Sequence, residues 1–336
     1  MAAMGDIRWG MIGVGSVAEH KSGPAFARAH GGRLAGVASR RAHAAHAYAE
    51  RHGVALVFPD ATALIESPDI DAVYIATPPA SHVALTLSVA RAGKPCCVEK
   101  PMSVRHADAL RMQAAFVEVD QPLFVAYYRR TLPRFEQVDQ WIRDGAIGEI
   151  ESVAWQLHRT PSPARIDDVW RLDPLQAPGG LFEDLACHGL DLFDMLLGPI
   201  TCIDRATLTA SNGRVPDHVA ARWRHGERIV GEGDWNFAAG KRLDRVTITG
   251  TGGAIRLSMF DDAPLMLSGS AVEECRLIEH PVPIQLHHVQ AMNQHLRGGA
   301  PHPSTVDSAI RTAWATEQIL RGPGTEAVGF AFADGP

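Results

Sequence analysis

The chain has 336 residues, enough for two domains, and 46% of them are hydrophobic, so that each domain can bury a core of its own. The formal net charge of -6 argues against nucleic acid or an anionic membrane as a partner. Five cysteines without zinc-site spacing fit a reducing compartment. No apolar stretch approaches the roughly 20 residues of a membrane span, and the N-terminus lacks the features of a signal peptide. We therefore expect a cytoplasmic protein without a metal site.

The first third of the chain alternates between apolar strand-like segments and alanine-rich helical segments. The predicted strands are 7–12, 33–39, 71–77, 95–99 and 122–128. The predicted helices are 16–30, 41–52, 83–92 and 103–118. Strands that alternate with helices predict a parallel sheet covered on both faces.

The pattern changes after residue 148, where strand-like segments follow one another with only one helix among them. The predicted strands are 149–159, 201–209, 217–224, 227–236, 243–250 and 254–259. The predicted helices are 181–197 and, at the end, 305–320. Consecutive strands joined by short turns predict a mostly antiparallel sheet, so the second part is expected to be α+β.

A glycine-rich stretch, Gly13-Val14-Gly15-Ser16-Val17-Ala18, follows the first strand and opens a helix. Gly13 permits a tight turn there, and Gly15 lets the backbone approach a pyrophosphate at the helix N-terminus. Ala18 is small enough for close packing of helix and strand. This context predicts a dinucleotide site that includes Gly13, Gly15, Ser16 and Val17. The alternative is a tight strand–helix turn without a ligand.

The ends of two further strands bear on the cofactor. Ser39-Arg40-Arg41 ends the second strand, where a hydroxyl and two guanidiniums suit the 2′-phosphate of NADP better than the ribose of NAD. The alternative is a solvated start of a helix. Thr77, Pro78 and His82 follow the strand 71–77 at the edge where ligands bind, and we expect them to contact the cofactor. The alternative for His82 is an ordinary residue at a helix N-terminus.

Two motifs carry candidate catalytic groups. Glu99-Lys100-Pro101 ends the strand 95–99, which places Lys100 near the position expected for a nicotinamide ring. We expect the pKa of Lys100 to be lowered there, its ammonium to bind a substrate oxygen, and Pro101 to fix the loop through a cis bond. Asp184 and His188 stand four residues apart on one helix face, so the acid can orient the imidazole. The alternative is a surface pair of little consequence.

These motifs resemble the glucose-fructose oxidoreductase/inositol dehydrogenase/MocA (Gfo/Idh/MocA) family. The resemblance rests on the glycine stretch, on Thr77-Pro78-Pro79, on Glu99-Lys100-Pro101 and on "GGLFEDLACHGLD" (179–191). It extends through "RAGKP" (91–95), "AYYRRTLP" (126–133), "DGAIGEI" (144–150) and "WRLDP" (170–174), and so covers about residues 5 to 200.

The resemblance implies roles for individual residues. Lys100, Asp184 and His188 match the catalytic trio: His188 takes the hydroxyl proton, Lys100 stabilises the alkoxide, and Asp184 orients His188 or holds a neighbouring hydroxyl. Glu99, Lys100 and Tyr128 are expected beside the cofactor. Trp170 and Arg171, in the polar loop 159–174, are expected to bind substrate together with the trio; the alternative is a loop anchored by a buried tryptophan and salt bridges.

The resemblance also implies an architecture and an activity. We expect a Rossmann dinucleotide-binding domain (1–126), an α+β substrate-binding and oligomerisation domain (127–303), and a final helix and tail (304–336) that return to the first domain. The predicted activity is NAD(P)-dependent oxidation or reduction of a secondary hydroxyl or ketone of a sugar or cyclitol-like molecule, in a homodimer or homotetramer.

Two other functions stay open within the same family. One is an NAD-dependent glycoside hydrolase, and the other is a non-catalytic regulator that binds a dinucleotide. The presence of both Lys100 and His188 argues against the regulator, because a protein that only binds has no need of them. The basic residues at 129–134 are interpreted as cofactor-edge or solvated groups.

Overall fold

The first of two β-sheets in the computed structural model of the protein is six-stranded and entirely parallel, with the order β3-β2-β1-β4-β5-β6. The model describes residues 5–161, 171–174, 177–211, 214–269 and 273–322. The strands of this sheet, sheet A, are β1 Ile7–Ile12, β2 Gly32–Ala38, β3 Leu56–Phe58, β4 Ala72–Ile75, β5 Cys96–Val98 and β6 Leu123–Val125. The predicted parallel sheet is confirmed, and β3 is a strand that the sequence analysis did not assign.

Sheet A is apolar on both faces because helices cover both. Every residue of β4 and of β5 is buried. The helices that follow its strands are α1 Gly23–Arg28, α2 Ala42–His52, α3 Ala61–Glu66, α4 His82–Arg91 and α5 His106–Glu118. The strand order reverses between β1 and β4, and such a switch point is where parallel sheets bind ligands.

The helix that follows the glycine-rich stretch begins at Ser16 and contains a π-helical turn, Ala18–Ser22, before it continues as α1. The Tyr48 hydroxyl donates a hydrogen bond to the Ala18 carbonyl at 3.2 Å. A side chain at Gly23 would place its Cβ 1.9 Å from that hydroxyl, so the glycine makes room for it. A π-turn of this kind is often found beside a functional site.

The second sheet, sheet B, has eight strands in the order β14-β13-β12-β11-β7-β10-β9-β8. They are β7 Ile150–His158, β8 Ile200–Thr209, β9 His218–His225, β10 Ile229–Asn236, β11 Leu243–Gly250, β12 Gly253–Leu257, β13 Leu265–Gly269 and β14 Glu273–Arg276. Only the pair β7 and β10 is parallel among the described strands, which confirms the predicted mostly antiparallel sheet. The sequence analysis did not assign β13 and β14.

Helix α7 Gly180–Leu197 packs its apolar side chains on sheet B. Its Phe182 and Phe193 lie edge-on to two tryptophans of the sheet, with ring centroids 5.0 Å from Trp235 and 6.0 Å from Trp155. Gly189 lets the helix approach the sheet, because a Cβ there would lie 2.3 Å from the Trp155 ring. The same helix also carries Asp184, whose carboxylate reaches Lys100 in the loop after β5.

The remaining described helices are α6 Pro133–Arg143, α8 Leu286–Leu296 and α9 Val306–Arg321. Helix α9 contacts both halves of the chain. Just before it, the Ser304 hydroxyl donates to the Val125 carbonyl of β6 at 2.8 Å, and on the other side Arg311 donates to Asp194 of α7 at 2.6 and 2.7 Å. The domain boundaries at 126/127 and 303/304 remain predictions.

The basic residues after β6 are buried. Arg129, Arg130 and Arg134 are only 2%, 6% and 1% exposed. Arg130 forms a bidentate ion pair with Asp191 at 2.8 and 2.9 Å, and it also reaches Asp194. Of the two interpretations of residues 129–134, the solvated one is therefore wrong, and the cofactor-edge one stays a prediction. Among the described helices, none is both long and apolar enough to cross a membrane.

Candidate active site

The predicted site residues of the first half lie where the strands of sheet A end. Because parallel strands point the same way, the loops after β1, β4, β5 and β6 meet at one edge of the sheet. These loops carry Gly13, Thr77, Lys100 and Tyr128. Helix α7 faces this edge from the second half, and its Asp184 lies 2.6 Å from the Lys100 Nζ.

Gly13 and Gly15, in the loop after β1, are glycines for different structural reasons. Gly13 has a φ of +98°, and a Cβ there would lie 2.9 Å from the Ala76 backbone. Gly15 meets nothing within 4 Å, so a Cβ there would occupy open space at the start of the helix. That open space beside a helix N-terminus fits a dinucleotide pyrophosphate.

The end of β2 also fits a nucleotide. The Ser39 hydroxyl accepts a hydrogen bond from the Arg41 backbone N–H at 3.3 Å. Arg40 and Arg41 are exposed, and neither forms an ion pair within the described part of the chain. Their guanidiniums are therefore available to an anionic ligand at this edge.

Glu99 and His82 hold the loop that carries Lys100. The buried Glu99 carboxylate accepts hydrogen bonds from the Tyr74 hydroxyl at 2.7 Å and the Gln285 side-chain amide at 2.9 Å. The His82 ring lies between two backbone carbonyls, with Nδ1 2.9 Å from Pro101 and Nε2 2.8 Å from Thr77. Both ring nitrogens are thus used inside the protein, where His82 bridges two loops; its predicted contact with the cofactor stays a prediction. The Lys100–Pro101 peptide bond is cis, as predicted.

Lys100 and Arg171 form an ionic cluster around the buried Asp184. The Lys100 ammonium donates to Asp184 Oδ1 at 2.6 Å and to its backbone carbonyl at 2.9 Å, while Arg171 Nε donates to Asp184 Oδ2 at 2.8 Å. Burial alone would lower the pKa of Lys100, but the Asp184 carboxylate outweighs it and raises the pKa. The expected lowering refers to Lys100 beside an oxidised nicotinamide and stays a prediction. Burial would raise the pKa of Asp184, yet the two cations hold it well below its ordinary value.

His188 is buried beside this cluster but is not oriented by Asp184. Both Asp184 oxygens serve Lys100 and Arg171, and His188 Nδ1 has no hydrogen-bond partner among the described residues. The predicted Asp184–His188 contact is therefore wrong, although both side chains belong to one site. The ring instead packs among aromatic rings, 5.4 Å from Tyr128 and 6.0 Å from Phe260 between centroids.

The charge state of His188 follows from its surroundings. Burial and then the positive charges of Arg129, Lys100 and Lys21 hold the pKa of His188 well below its ordinary value. The imidazole is thus neutral at neutral pH and can accept a proton, while the nearby ammonium can stabilise a developing oxyanion.

Tyr128 lies at the same place, only 3% exposed. The Lys21 Nζ lies 5.9 Å and the Arg129 Cζ 5.0 Å from its ring centroid. Burial would raise the pKa of the Tyr128 phenol, but the charges of Arg129, Lys21 and Lys100 outweigh burial and lower it.

Lys21, Arg159 and Phe260 join the site without having been predicted, and Arg129 takes a buried place in it. Lys21 follows the glycine-rich stretch on its helix and affects His188 from the first half of the chain, whereas Arg159 directly follows β7 and lies over Phe260. The predicted substrate contact Trp170 lies outside the described residues, whereas Arg171 is placed on Asp184 as given above.

Comparison with known proteins agrees with this geometry. The profile of the "Oxidoreductase family, NAD-binding Rossmann fold" matches residues 7–127, and that of the "GFO/IDH/MocA C-terminal domain" matches residues 135–256. Oxidoreductase P35 of Formosa agariphila is 31% identical over 306 residues, which cover 90% of this chain and 95% of that protein. Inositol 2-dehydrogenase of Rhizobium meliloti is 36% identical over 199 residues, which cover 57% of this chain and 55% of that enzyme.

Among solved structures, the aldose-aldose oxidoreductase of Caulobacter crescentus has the same fold. It superimposes with a TM-score of 0.84 at 21% identity, over 94% of this chain and 97% of that one. Two domain profiles match the chain, and one relative aligns over nearly its whole length. The glycine-rich loop after β1 also fits a dinucleotide. The chain belongs to the Gfo/Idh/MocA family of NAD(P)-binding oxidoreductases.

Proposed function

We propose that the protein transfers a hydride between a nicotinamide cofactor and a secondary hydroxyl or ketone of a sugar or cyclitol-like molecule. One observation carries the proposal: the Lys100 ammonium, which binds Asp184, and the buried neutral imidazole of His188, one turn further along α7, belong to one site at the nucleotide edge of sheet A. The activity of inositol 2-dehydrogenase and of 1,5-anhydro-D-fructose reductase, both of which this chain resembles over about half their length, supports the same substrate class.

The residues divide the work as follows. When bound, the nicotinamide supplies or accepts the hydride. His188 accepts the proton of the substrate hydroxyl, because its imidazole is neutral and buried. Lys100 donates a hydrogen bond to the same oxygen and stabilises its negative charge. Asp184 positions Lys100 through a hydrogen bond. Together with Arg171, which it also binds, it offers polar groups to the substrate hydroxyls. Tyr128 is proposed beside the cofactor.

We propose that NADP is preferred over NAD. The exposed guanidiniums of Arg40 and Arg41, with the Ser39 hydroxyl, support this, because a 2′-phosphate takes charge-assisted hydrogen bonds from arginine. Fluorescence titration with NADPH and NADH tests the preference directly. In Arg40→Gln the dissociation constant of NADPH should rise by about 10-fold or more, while that of NADH stays the same. Equal affinities in the unaltered protein would refute the preference.

A screen of cyclitols, polyols and ketoses, followed by NAD(P)H absorbance, tests the activity. Net change in NAD(P)H with at least one of them is expected. Cleavage of a chromogenic glycoside without net NAD(P)H change would instead indicate the hydrolase. Dinucleotide binding by a protein inert in both assays would indicate the regulator.

We also propose a cytoplasmic homodimer or homotetramer. The five cysteines are all free, as in a reducing compartment. Gln156, Arg222 and Asp234 line a polar groove on one face of sheet B that a second copy would cover. Light scattering of the purified protein tests the assembly, and a monomer at micromolar concentration would contradict it.

A further inference from the structure

We propose that the substrate carries an anionic group, a carboxylate or a phosphate ester, and that Arg129 and Arg159 bind it beside Phe260. The inference rests on the proposed function, since it names the class of molecule that enters the same site. It goes further because neutral sugars and cyclitols need no such pair of cations.

Arg129 is a buried cation with an unused donor. Its Nε donates to the Met259 carbonyl at 3.2 Å, but its Nη1 is buried and has no hydrogen-bond partner among the described residues. The guanidinium lies over two rings, with Cζ 5.0 Å from the centroid of Tyr128 and 4.5 Å from that of Phe260. Because an unpaired buried charge is costly, a group that remains unpaired in the free protein points to a bound anion.

Arg159 repeats the pattern from the second sheet. Its Cζ lies 5.2 Å from the Phe260 centroid, and its buried Nε also lacks a partner within the described part of the chain. Burial, followed by the charge of Arg242, lowers the pKa of Arg159 despite the acids nearby. One of these acids, Asp244, already accepts hydrogen bonds from Trp155, Ser258 and the Phe260 backbone.

Both guanidiniums belong to the active site rather than to a separate patch. They share the Phe260 ring, whose centroid lies 6.0 Å from that of His188. Three carboxylates act on this region: Asp184 is paired with Lys100 and Arg171, Asp261 is paired with Arg242, and Asp244 has the hydrogen bonds given above. Lys21 adds a further positive charge over Tyr128. A substrate anion would therefore meet a positive surplus next to the reacting centre.

Matched ligand sets distinguish the possibilities. Binding to the protein saturated with NADPH is measured by calorimetry for neutral D-glucose and D-galactose, for D-glucuronate and D-galacturonate, and for D-glucose 6-phosphate; turnover of each is followed by absorbance. One of the two anionic classes should bind about 10- to 150-fold more tightly than its neutral counterpart, the range expected for hydrogen bonds to a charged group. The class that binds identifies the anion as carboxylate or phosphate.

Variants assign the preference to the two arginines. Arg159→Gln, at a half-buried position, should reduce the ratio of anionic to neutral affinity by about 10-fold or more, and Arg129→Gln should do the same where thermal unfolding shows it folded. Arg91→Gln removes one positive charge from an exposed position at the far end of α4 and should leave the ratio unchanged. Neutral sugars binding as well as both anionic classes, or an Arg159→Gln variant with an unaltered ratio, would overturn the inference. Turnover of neutral sugars alone would agree with the proposed function but not with the anion site. Binding of an anionic ligand without turnover of any compound would contradict the proposed function but not the anion site.

Discussion

Glu183 provides a prediction in which the structure fixes both sign and size. Its carboxyl group lies in the first turn of α7, is 3% exposed, and accepts a hydrogen bond from the Gly179 backbone N–H at 3.2 Å. Burial, with a smaller contribution from the Asp184 charge, raises the pKa of Glu183 from 4.5 to about 7. The folded protein therefore keeps this proton up to about pH 7, whereas the unfolded chain releases it near pH 4.5.

The stabilising contribution of the protonated carboxyl is fully present below pH 4.5 and is lost as the pH rises to about 7. At about 1.4 kcal/mol for each pH unit, the loss amounts to about 3 kcal/mol. The glutamine side chain of Glu183→Gln is neutral at every pH, so the variant does not lose this stability as the pH rises. The free energy of unfolding of the variant, relative to the unaltered protein, should therefore rise by about 3 kcal/mol between pH 5 and pH 8.

Differential scanning calorimetry at pH 5, 6, 7 and 8 measures this effect. A gain of about 4 °C in the unfolding temperature of Glu183→Gln is expected at pH 8, and a much smaller gain at pH 5. The matched control is Glu66→Gln, an exposed glutamate on α3, which should show no such dependence on pH. A difference between Glu183→Gln and the unaltered protein that does not change with pH would refute the reasoning.

Three further predictions concern the cofactor cradle, the buried ion pair and the site tyrosine. Gly15→Ala should weaken NADPH binding without changing the unfolding temperature, whereas Gly13→Ala should also cost about 1–3 kcal/mol of stability, because its φ is +98°. Fluorescence titration measures the NADPH affinity and calorimetry the unfolding temperature. Equal losses of stability in the two variants would contradict the different roles assigned to Gly13 and Gly15. Asp191→Asn should lower the free energy of unfolding by about 1–3 kcal/mol, because it removes the bidentate ion pair and leaves only Asp194 to balance the buried Arg130; a chemical-denaturation loss no larger than that of an exposed aspartate on α9 would be inconsistent with this. Of the four tyrosines only Tyr128 has a lowered pKa. An ultraviolet titration of the native protein should therefore show a phenol that ionises below pH 10, and Tyr128→Phe should remove this transition. If the variant retained it, the lowering by Arg129, Lys21 and Lys100 would be contradicted.

The sequence predicted those parts of the fold that repeat a local pattern. Apolar strands that alternate with helices led to sheet A, and the spacing of Asp184 and His188 correctly placed both on one helix. The short strand β3, three half-buried residues, and β14, whose "EECR" is mostly exposed, lack a pattern that could distinguish them from loops. Helix α8, "LHHVQAMNQHL", was not assigned because its histidines and amides weaken the apolar face.

The contacts within the site were less predictable, because they join residues far apart in the chain. Asp184 could have oriented His188, four residues away, but Lys100 is 84 positions distant in sequence and takes the carboxylate instead. Arg171 then occupies the other oxygen. The same distance argument applies to Arg129 and Arg159: Arg129 reaches Phe260 from the end of β6 in sheet A, and Arg159 reaches it from the end of β7 in sheet B. The local spacing therefore identified the site residues but not their partners.

Lys100 and His188 are proposed to act in hydride transfer itself, His188 by accepting the proton and Lys100 by stabilising the oxyanion, and not only in holding the cofactor. Steady-state turnover of the best substrate, measured beside NADPH affinity for Lys100→Met and His188→Asn, tests it most directly, with the exposed Lys241→Met as the matched control. We expect kcat to fall by about 100-fold or more in both variants, while NADPH still binds and Lys241→Met remains fully active. Variants that bind NADPH and keep a kcat within a few-fold of the unaltered protein would contradict the account.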